Sequence, residues 1–284
     1  MSKTKVINLD LRTVLIIANK ELRDAKNNKW MIVYTIVFVI LSFVFAWIDL
    51  SQSHIYGAAG FGRTAATLIN IIILIIPLMG LSLGALLISS EHENGNLLYL
   101  IAQPITRVEY LLGKYLGISL SLTLSLLIGF GISGILISFK VGSYQITNYI
   151  YMIALSTCLA LISISIGLLI SVITKKSITS LGLALFTWLL FVFFTDLGIM
   201  GTSLILKLNV NQLFTISLIN PLQVFKILSI LVLNNNLEVL GPGGIYAMRT
   251  YGQSLIYILL IITALFICIP LIISCYILKN KRDF

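Results

Sequence analysis

Charge is scarce in this chain of 284 residues. Asp, Glu, Lys and Arg together make up 10% of it and hydrophobic residues 58%, whereas a soluble domain carries about 25% charged residues. The mean hydropathy is +1.05. So few charges exclude a water-soluble globule, and so much hydrophobicity excludes disorder. Cysteine is also sparse. Cys158, Cys268 and Cys275 sit in apolar runs with no CxxC or Cys/His cluster, so they mark no metal or redox centre. His54 and His92 are the two histidines, and neither has a Cys, His or Asp partner at metal-ligand spacing. Paired carboxylates and nucleophile–base pairs of catalytic type are missing, so no enzyme site is legible. Walker A is missing too. Gly113-Lys114 is preceded at the required position by Val108 and followed by Tyr115, so the chain does not hold ATP in a P-loop. The basic residues form no patch of the kind that binds nucleic acid.

Long apolar runs are plentiful. A helix that crosses a hydrocarbon core of about 30 Å needs about 20 mostly apolar residues. Six segments meet this: 30–48, 68–89, 116–139, 149–173, 180–197 and 255–278. They are continuous rather than alternating, which excludes a barrel. In lipid each backbone polar group must bond within its own helix. The expected fold is therefore all-α: a polytopic membrane protein with six transmembrane helices, one domain over 1–284. Segment 30–48 follows a polar, basic stretch and precedes no A-x-A-like site, so it reads as a retained span rather than a signal peptide. The spans hold almost no charge, which disfavours a proton or ion relay.

Lysine and arginine set the orientation. With six spans, 14 of these residues fall on the side of the termini: seven between Lys3 and Lys29, then Arg107, Lys114, Lys175, Lys176, Lys279, Lys281 and Arg282. Five fall on the other: Arg63, Lys140, Lys207, Lys226 and Arg249. Both termini are expected in the cytoplasm. A seventh span at 213–233 would reverse the C-terminus, and Asn220-Pro221 and Lys226 interrupt it. It reads instead as a broken, partly interfacial or re-entrant segment within an extracytoplasmic loop, 198–254.

Before the first span, Leu11, Val14, Leu15, Ala18, Leu22 and Ala25 form one helical stripe. Arg12, Lys20, Arg23 and Lys26 lie mostly elsewhere on the wheel. This suits an amphipathic interfacial helix over 8–29, with Asn8 and Asp10 as candidate caps. Ile16 and Ile17 widen the apolar face, which also fits burial against other helices. The plainer alternative is a solvated basic arm.

The loop 91–109 between spans two and three carries three of the ten acidic residues, Glu91, Glu93 and Glu109. A short apolar helix over 97–101 follows Gly95, and Pro104 stops it. Thr106 and Glu109 have the capping-box spacing for the next helix. An apolar turn held below the membrane reads as a docking site for another protein.

These elements resemble the type-2 permease subunits of ATP-binding-cassette (ABC) transporters. The family's KEL-type helix is matched by Lys20-Glu21-Leu22-Arg23-Asp24. Its E-x-E-x-G-T element is matched by Glu91-His92-Glu93-Asn94-Gly95-Asn96, with Asn96 in place of Thr. Its P-[IV]-[ST]-R…GK stretch is matched by Pro104-Ile105-Thr106-Arg107 and Gly113-Lys114. The resemblance implies a cytoplasmic coupling helix between spans two and three, seated in a separate ABC ATPase subunit that carries ATP and Mg. This chain itself would carry no cofactor. The ATPase-coupling residues it implies are Glu91, Glu93, Gly95, Leu97, Leu98, Leu100, Gln103, Pro104 and Arg107, and those of the interfacial helix are Lys20, Glu21, Arg23 and Asp24. It implies a second permease copy as well, giving a homodimer that exports substrate. Gly129, Gly131, Ser133 and Gly134 in span three would let helices pack closely, within one subunit or between two.

Three further stretches resemble a subgroup, the permease of the nitrous-oxide-reductase maturation system. They are Phe61-Gly62-Arg63-Thr64-Ala65-Ala66, Phe194-Thr195-Asp196-Leu197, and 218–226 around Asn220-Pro221. The subgroup implies a periplasmic copper-handling adaptor and a role in copper or sulfur maturation. In the family the piece between spans five and six plugs the outer mouth, which makes Arg63, Asp196, Asn220 and Pro221 candidates for an outer gate. Their ordinary reading is interfacial anchoring and loop structure. Tyr144, Tyr149, Tyr151, Tyr246, Tyr251 and Tyr257 cluster at the expected outer edge and read as an aromatic belt. A membrane anchor for an extracytoplasmic assembly, moving nothing, shares the same spans and stays open as the alternative.

Overall fold

The computed structural model describes residues 10–27, 29, 31–40, 43–44, 59–95, 105–141, 146–195, 209–234 and 242–280. Among them all regular structure is helical. We number the helices α1 (Leu11–Asn27), α2 (Met31–Ile40), α3 (Ala59–Glu93), α4 (Arg107–Val141), α5 (Ile146–Ile173), α6 (Ser177–Phe193), α7 (Val210–Ser217), α8 (Pro221–Asn234), α9 (Pro242–Tyr251) and α10 (Ser254–Asn280).

Among the described residues four stretches are long and apolar enough to cross a membrane: Ile69–Glu93, Arg107–Gly131, Ile150–Ile173 and Ser254–Asn280. They match the expected spans two, three, four and six. The expected fifth span is the 17-residue α6, about 26 Å long at 1.5 Å per residue. Of the expected first span, α2 and residues 43–44 are described, and the rest lies outside the described residues. The segment read as broken is broken: α7 and α8 meet at 106°. Asn220 and Pro221 make the break. The Asn220 Oδ1 accepts the Leu222 N–H at 3.0 Å as an N-cap, and Pro221 takes the first helical position, where its missing N–H costs nothing.

Many hydroxyls inside the bundle donate to helix carbonyls, as apolar surroundings favour. Ser163 donates to Leu159 O at 2.7 Å and Ser274 to Pro270 O at 2.7 Å. Pro270 itself frees the carbonyl of Phe266, four residues back. Ser165 of α5 donates to that carbonyl across the interface at 3.2 Å.

Backbone meets backbone where α3 crosses α5. A Cβ on Gly84 would stand 2.6 Å from the Ile164 carbonyl oxygen, and one on Gly167 would stand 2.5 Å from that of Leu81. Two glycines facing each other let the backbones meet. Ser171 Oγ then accepts from the N–H groups of Ile88 and Ser89 at 2.8 and 2.9 Å. On the other side of α3, Ser180 of α6 donates to Ala85 O at 2.6 Å, and Trp188 Nε1 donates to Leu74 O at 2.9 Å. The core runs from Ile76 of α3 through Leu122 and Leu126 of α4 to Leu159 and Leu168 of α5. Leu222, Val224, Phe225, Leu228 and Leu231 join it, so α8 is a core element of the bundle and not a helix laid over its end.

Candidate functional site at the charged end of the bundle

The candidate site begins where α3 ends and α4 starts. Gly95 closes α3 with φ 72°, the left-handed conformation that glycine adopts without a Cβ penalty. Its N–H donates to His92 O at 3.2 Å. Residues 96–104 lie outside the described residues, and with them Leu97, Leu98, Leu100, Gln103 and Pro104. The two flanks of that loop are described, and both are bound to other helices.

Glu91, in the last turn of α3, meets Lys114 of α4 at 2.6 Å. The same Nζ meets Glu21 of α1 at 2.7 Å. Lys114 is 4% exposed, Glu21 13% and Glu91 22%. One buried ammonium thus holds two carboxylates from two different helices. The Tyr110 hydroxyl donates to the other oxygen of Glu91, and Lys114 Nζ lies 5.5 Å from the Tyr110 ring centre. α1 reaches this cluster because α4 presents Gly113 and Gly117 to it. A Cβ on Gly113 would lie 2.7 Å from Ile17 Cβ, and one on Gly117 would lie 2.4 Å from Glu21 Cβ. The Glu21 carboxylate reaches Lys114 because nothing stands on Gly117.

Glu109 is a second node. It completes the expected capping box: Thr106 N–H donates to Glu109 Oε2 at 2.9 Å, and Glu109 N–H donates to Thr106 Oγ1 at 3.3 Å. Its other oxygen accepts the Asp10 N–H at 2.8 Å. Asp10 in turn caps α1, accepting from Arg12 N–H at 3.0 Å and from the Thr13 hydroxyl at 3.2 Å. One carboxylate therefore fixes the starts of two helices. Glu93 does the same for a third, accepting the Ser177 N–H at the first residue of α6 at 2.8 Å. Arg107 Nη1 donates to Leu278 O in the last turn of α10 at 3.0 Å, a favoured place for a cation because the final carbonyls of a helix lack partners.

Glu21, Glu91, Glu93 and Arg107 are thus brought to one end of the bundle, and Gly95 with them. Lys20, Arg23 and Asp24 lie on the exposed side of α1. The stripe on α1 is divided: Val14, Ala18 and Ala25 are buried, whereas Leu11 and Leu15 remain exposed. The helix docks on α4 by one edge of the stripe and leaves the other free. Sequence reasoning passed over Tyr110 and Ser177, and gave Lys114 no partner. The Gly-x-x-x-Gly spacing at 113 and 117 was the available signal for a docked α1.

At the far end, Asn220 is buried. Its Nδ2 donates to Phe191 O at 2.8 Å and to Thr195 Oγ1 at 3.1 Å. It thereby ties the α7–α8 break to the end of α6. Asp196 lies outside the described residues, and of Arg63 only its place in α3 is described. Tyr246 and Tyr251 pack against Phe214, with ring centres at 6.5 and 6.0 Å, while Tyr257 is exposed. Gly129 seats the Phe38 ring, whose Cδ1 would lie 2.4 Å from its Cβ, so its close packing is within the subunit; Gly131 faces open space.

Comparison with known proteins adds the family. The family model for ABC-2 family transporter proteins matches residues 15–283. A probable ABC transporter permease protein NosY from Stutzerimonas stutzeri is 30% identical over 221 residues, covering 75% of this chain and 80% of that protein. A probable ABC transporter permease protein NosY from Pseudomonas aeruginosa is 27% identical over 243 residues, covering 84% and 87%. With its apolar helices and its motifs gathered at one end, this multi-pass membrane chain belongs to the ABC-2 family of transporter permeases.

Proposed function

We propose that the chain is a six-span exporter permease in which the loop 96–104 receives force from a separate ABC ATPase. ATP and Mg are held by that partner. The observation that carries this reading is the wiring of the loop's flanks. Through Glu91, Lys114 and Glu21 they grip α1, through Glu93 they grip α6, and through Arg107 they grip α10. A push on the loop then bears on five helices: α1, α3 and α4 through the buried Lys114 charge cluster, whose separation is costly, and α6 and α10 through the hydrogen bonds of Glu93 and Arg107. The charged end lies in the cytoplasm with both termini, the membrane is the inner one, and two copies make the working unit. The subgroup motifs of the sequence are the ground for adding a copper or sulfur maturation role with a periplasmic copper-handling adaptor at the far end, beside the likeness to two permeases named NosY. There Arg63, Asp196 and the Asn220-Pro221 break would form the outer gate.

The test is purification of the tagged chain from native membranes in mild detergent, followed by mass spectrometry. A stoichiometric P-loop ATPase should accompany the wild type and be lost from Leu98→Asp, with membrane levels unchanged. Recovery of the chain without an ATPase, under conditions that preserve other membrane complexes, would favour the non-transporting anchor. A periplasmic copper-binding protein in the same eluate would support the maturation role.

A further inference from the structure

α1, α2 and α4 enclose a groove of about 290 Å³. Leu22 and Lys26 of α1 stand at one end, Ile32 and Ile36 of α2 form one wall, and Leu124 and Ile128 of α4 form the other. Three hydroxyls also line it, and all are spent inside the protein. Ser121 donates to Gly117 O at 2.9 Å, Ser125 to Ser121 O at 3.1 Å, and Thr35 Oγ1 lies 2.8 Å from Met31 O and 2.9 Å from Ser125 Oγ. The walls therefore offer a ligand apolar contact only. From Ser121 to Ile128 the groove follows α4 for about 10 Å.

Its one charged lining residue is Lys26, which is exposed. Among the described residues it has no carboxylate partner. Glu21 is engaged by Lys114, and Asp24 lies about 160° from Lys26 around a helix of 3.6 residues per turn. Arg23, one turn before Lys26 on α1, and Lys29, three residues after it in sequence, are also exposed. An apolar slot with a cationic mouth, at the level where α1 gives way to the membrane helix α2, matches an amphiphile with an anionic head. Membrane leaflets supply this as anionic phospholipid, which basic juxtamembrane segments attract.

We propose that this groove holds one acyl chain of an anionic phospholipid, with its phosphate on Lys26 and the chain between Ile32, Ile36, Leu124 and Ile128. A zwitterionic lipid has no reason to prefer this mouth, and a second copy of the chain has no use for its cation. The inference is separate from the coupling role.

The full chain, purified in detergent, is titrated with dioleoylphosphatidylglycerol or dioleoylphosphatidylcholine, and bound lipid is counted by native mass spectrometry. The wild type should retain the phosphatidylglycerol preferentially. Lys26→Glu should weaken that binding at least about fivefold and leave phosphatidylcholine unchanged. Ile36→Trp fills the groove, keeps the charge, and should also lower phosphatidylglycerol retention. Both side chains are exposed, so circular dichroism should show wild-type helix content. Equal retention of the two lipids by the wild type would overturn the proposal. So would loss in Lys26→Glu with full retention in Ile36→Trp, which would mean surface charge without a groove. Dissociation of a dimer by Ile36→Trp would overturn it too, in favour of a contact between copies.

Discussion

Lys114 shows what a single side chain does at the charged end. With 4% exposure and two carboxylates within 2.7 Å, it neutralises groups that would otherwise repel across the α1–α3–α4 junction. Lys114→Met should lower stability by about 3–5 kcal/mol, the usual cost of leaving a buried charge without its partner. Denaturant unfolding of the detergent-purified protein, followed by circular dichroism, measures this. Adding Glu21→Gln and Glu91→Gln to Lys114→Met should recover most of the loss, since an apolar or neutral cluster of similar shape needs no counter-charge. An unchanged midpoint in Lys114→Met would mean that the cluster is solvated. Lys114 stood in the sequence only as part of a motif. Its partners lie 93 and 23 positions away, and no local pattern links them. Glu109 was legible because a capping box is a local event three residues long.

At the scale of the element, α1 is held by backbone approach to Gly113 and Gly117 and by the Asp10–Glu109 contact. Gly117→Ala puts a methyl where Glu21 Cβ now sits, 2.4 Å away, so α1 must lift. Hydrogen exchange across 11–27 should rise by about tenfold or more, while α10 stays protected as in the wild type. Equal exchange in α1 would show that it is not docked there. The opposite outcome is expected for Gly131→Ala, which meets open space and should leave exchange unchanged. Gly84→Val is the severe case. Its first added carbon would meet the Ile164 carbonyl at 2.6 Å, and backbone cannot rotate away as a side chain can. We expect loss of folded protein by size exclusion, or a stability drop of several kcal/mol as for overpacked cores. The helix-length apolar runs were readable because hydropathy is a sum over about 20 residues. The burial of α8 was not, because Lys226 and the Asn220-Pro221 break make it look interfacial, and only the surrounding helices α3, α5 and α10 turn it inward.

At the scale of the whole molecule, the charged end links α1, α3, α4, α6 and α10, whereas the far end rests on the Asn220 contacts and on aromatic packing. The motifs that lie far apart in sequence, K-E-L, E-x-E-x-G and G-K, are one structure in space. Their order along the chain carried the family resemblance, and their juxtaposition supplies a physical reason for that order. The orientation proposed from the basic residues is open to direct measurement. Reporter fusions after residues 29, 105, 176 and 282 should all read cytoplasmic, and fusions at 57, 143 and 240 should read external. An external reading at 282 would require an odd number of spans, with α7–α8 crossing as one.

The most direct test of the central claim, that the wired flanks of the loop transmit force, is ATP hydrolysis by the co-purified complex in proteoliposomes. Glu91→Lys sets two cations against each other at Lys114 and breaks the link from α3 to α1, while the loop residues 96–104 stay intact. The complex should still assemble, and hydrolysis stimulated by the permease should fall by about tenfold or more. Wild-type hydrolysis in an assembled Glu91→Lys complex would contradict the account.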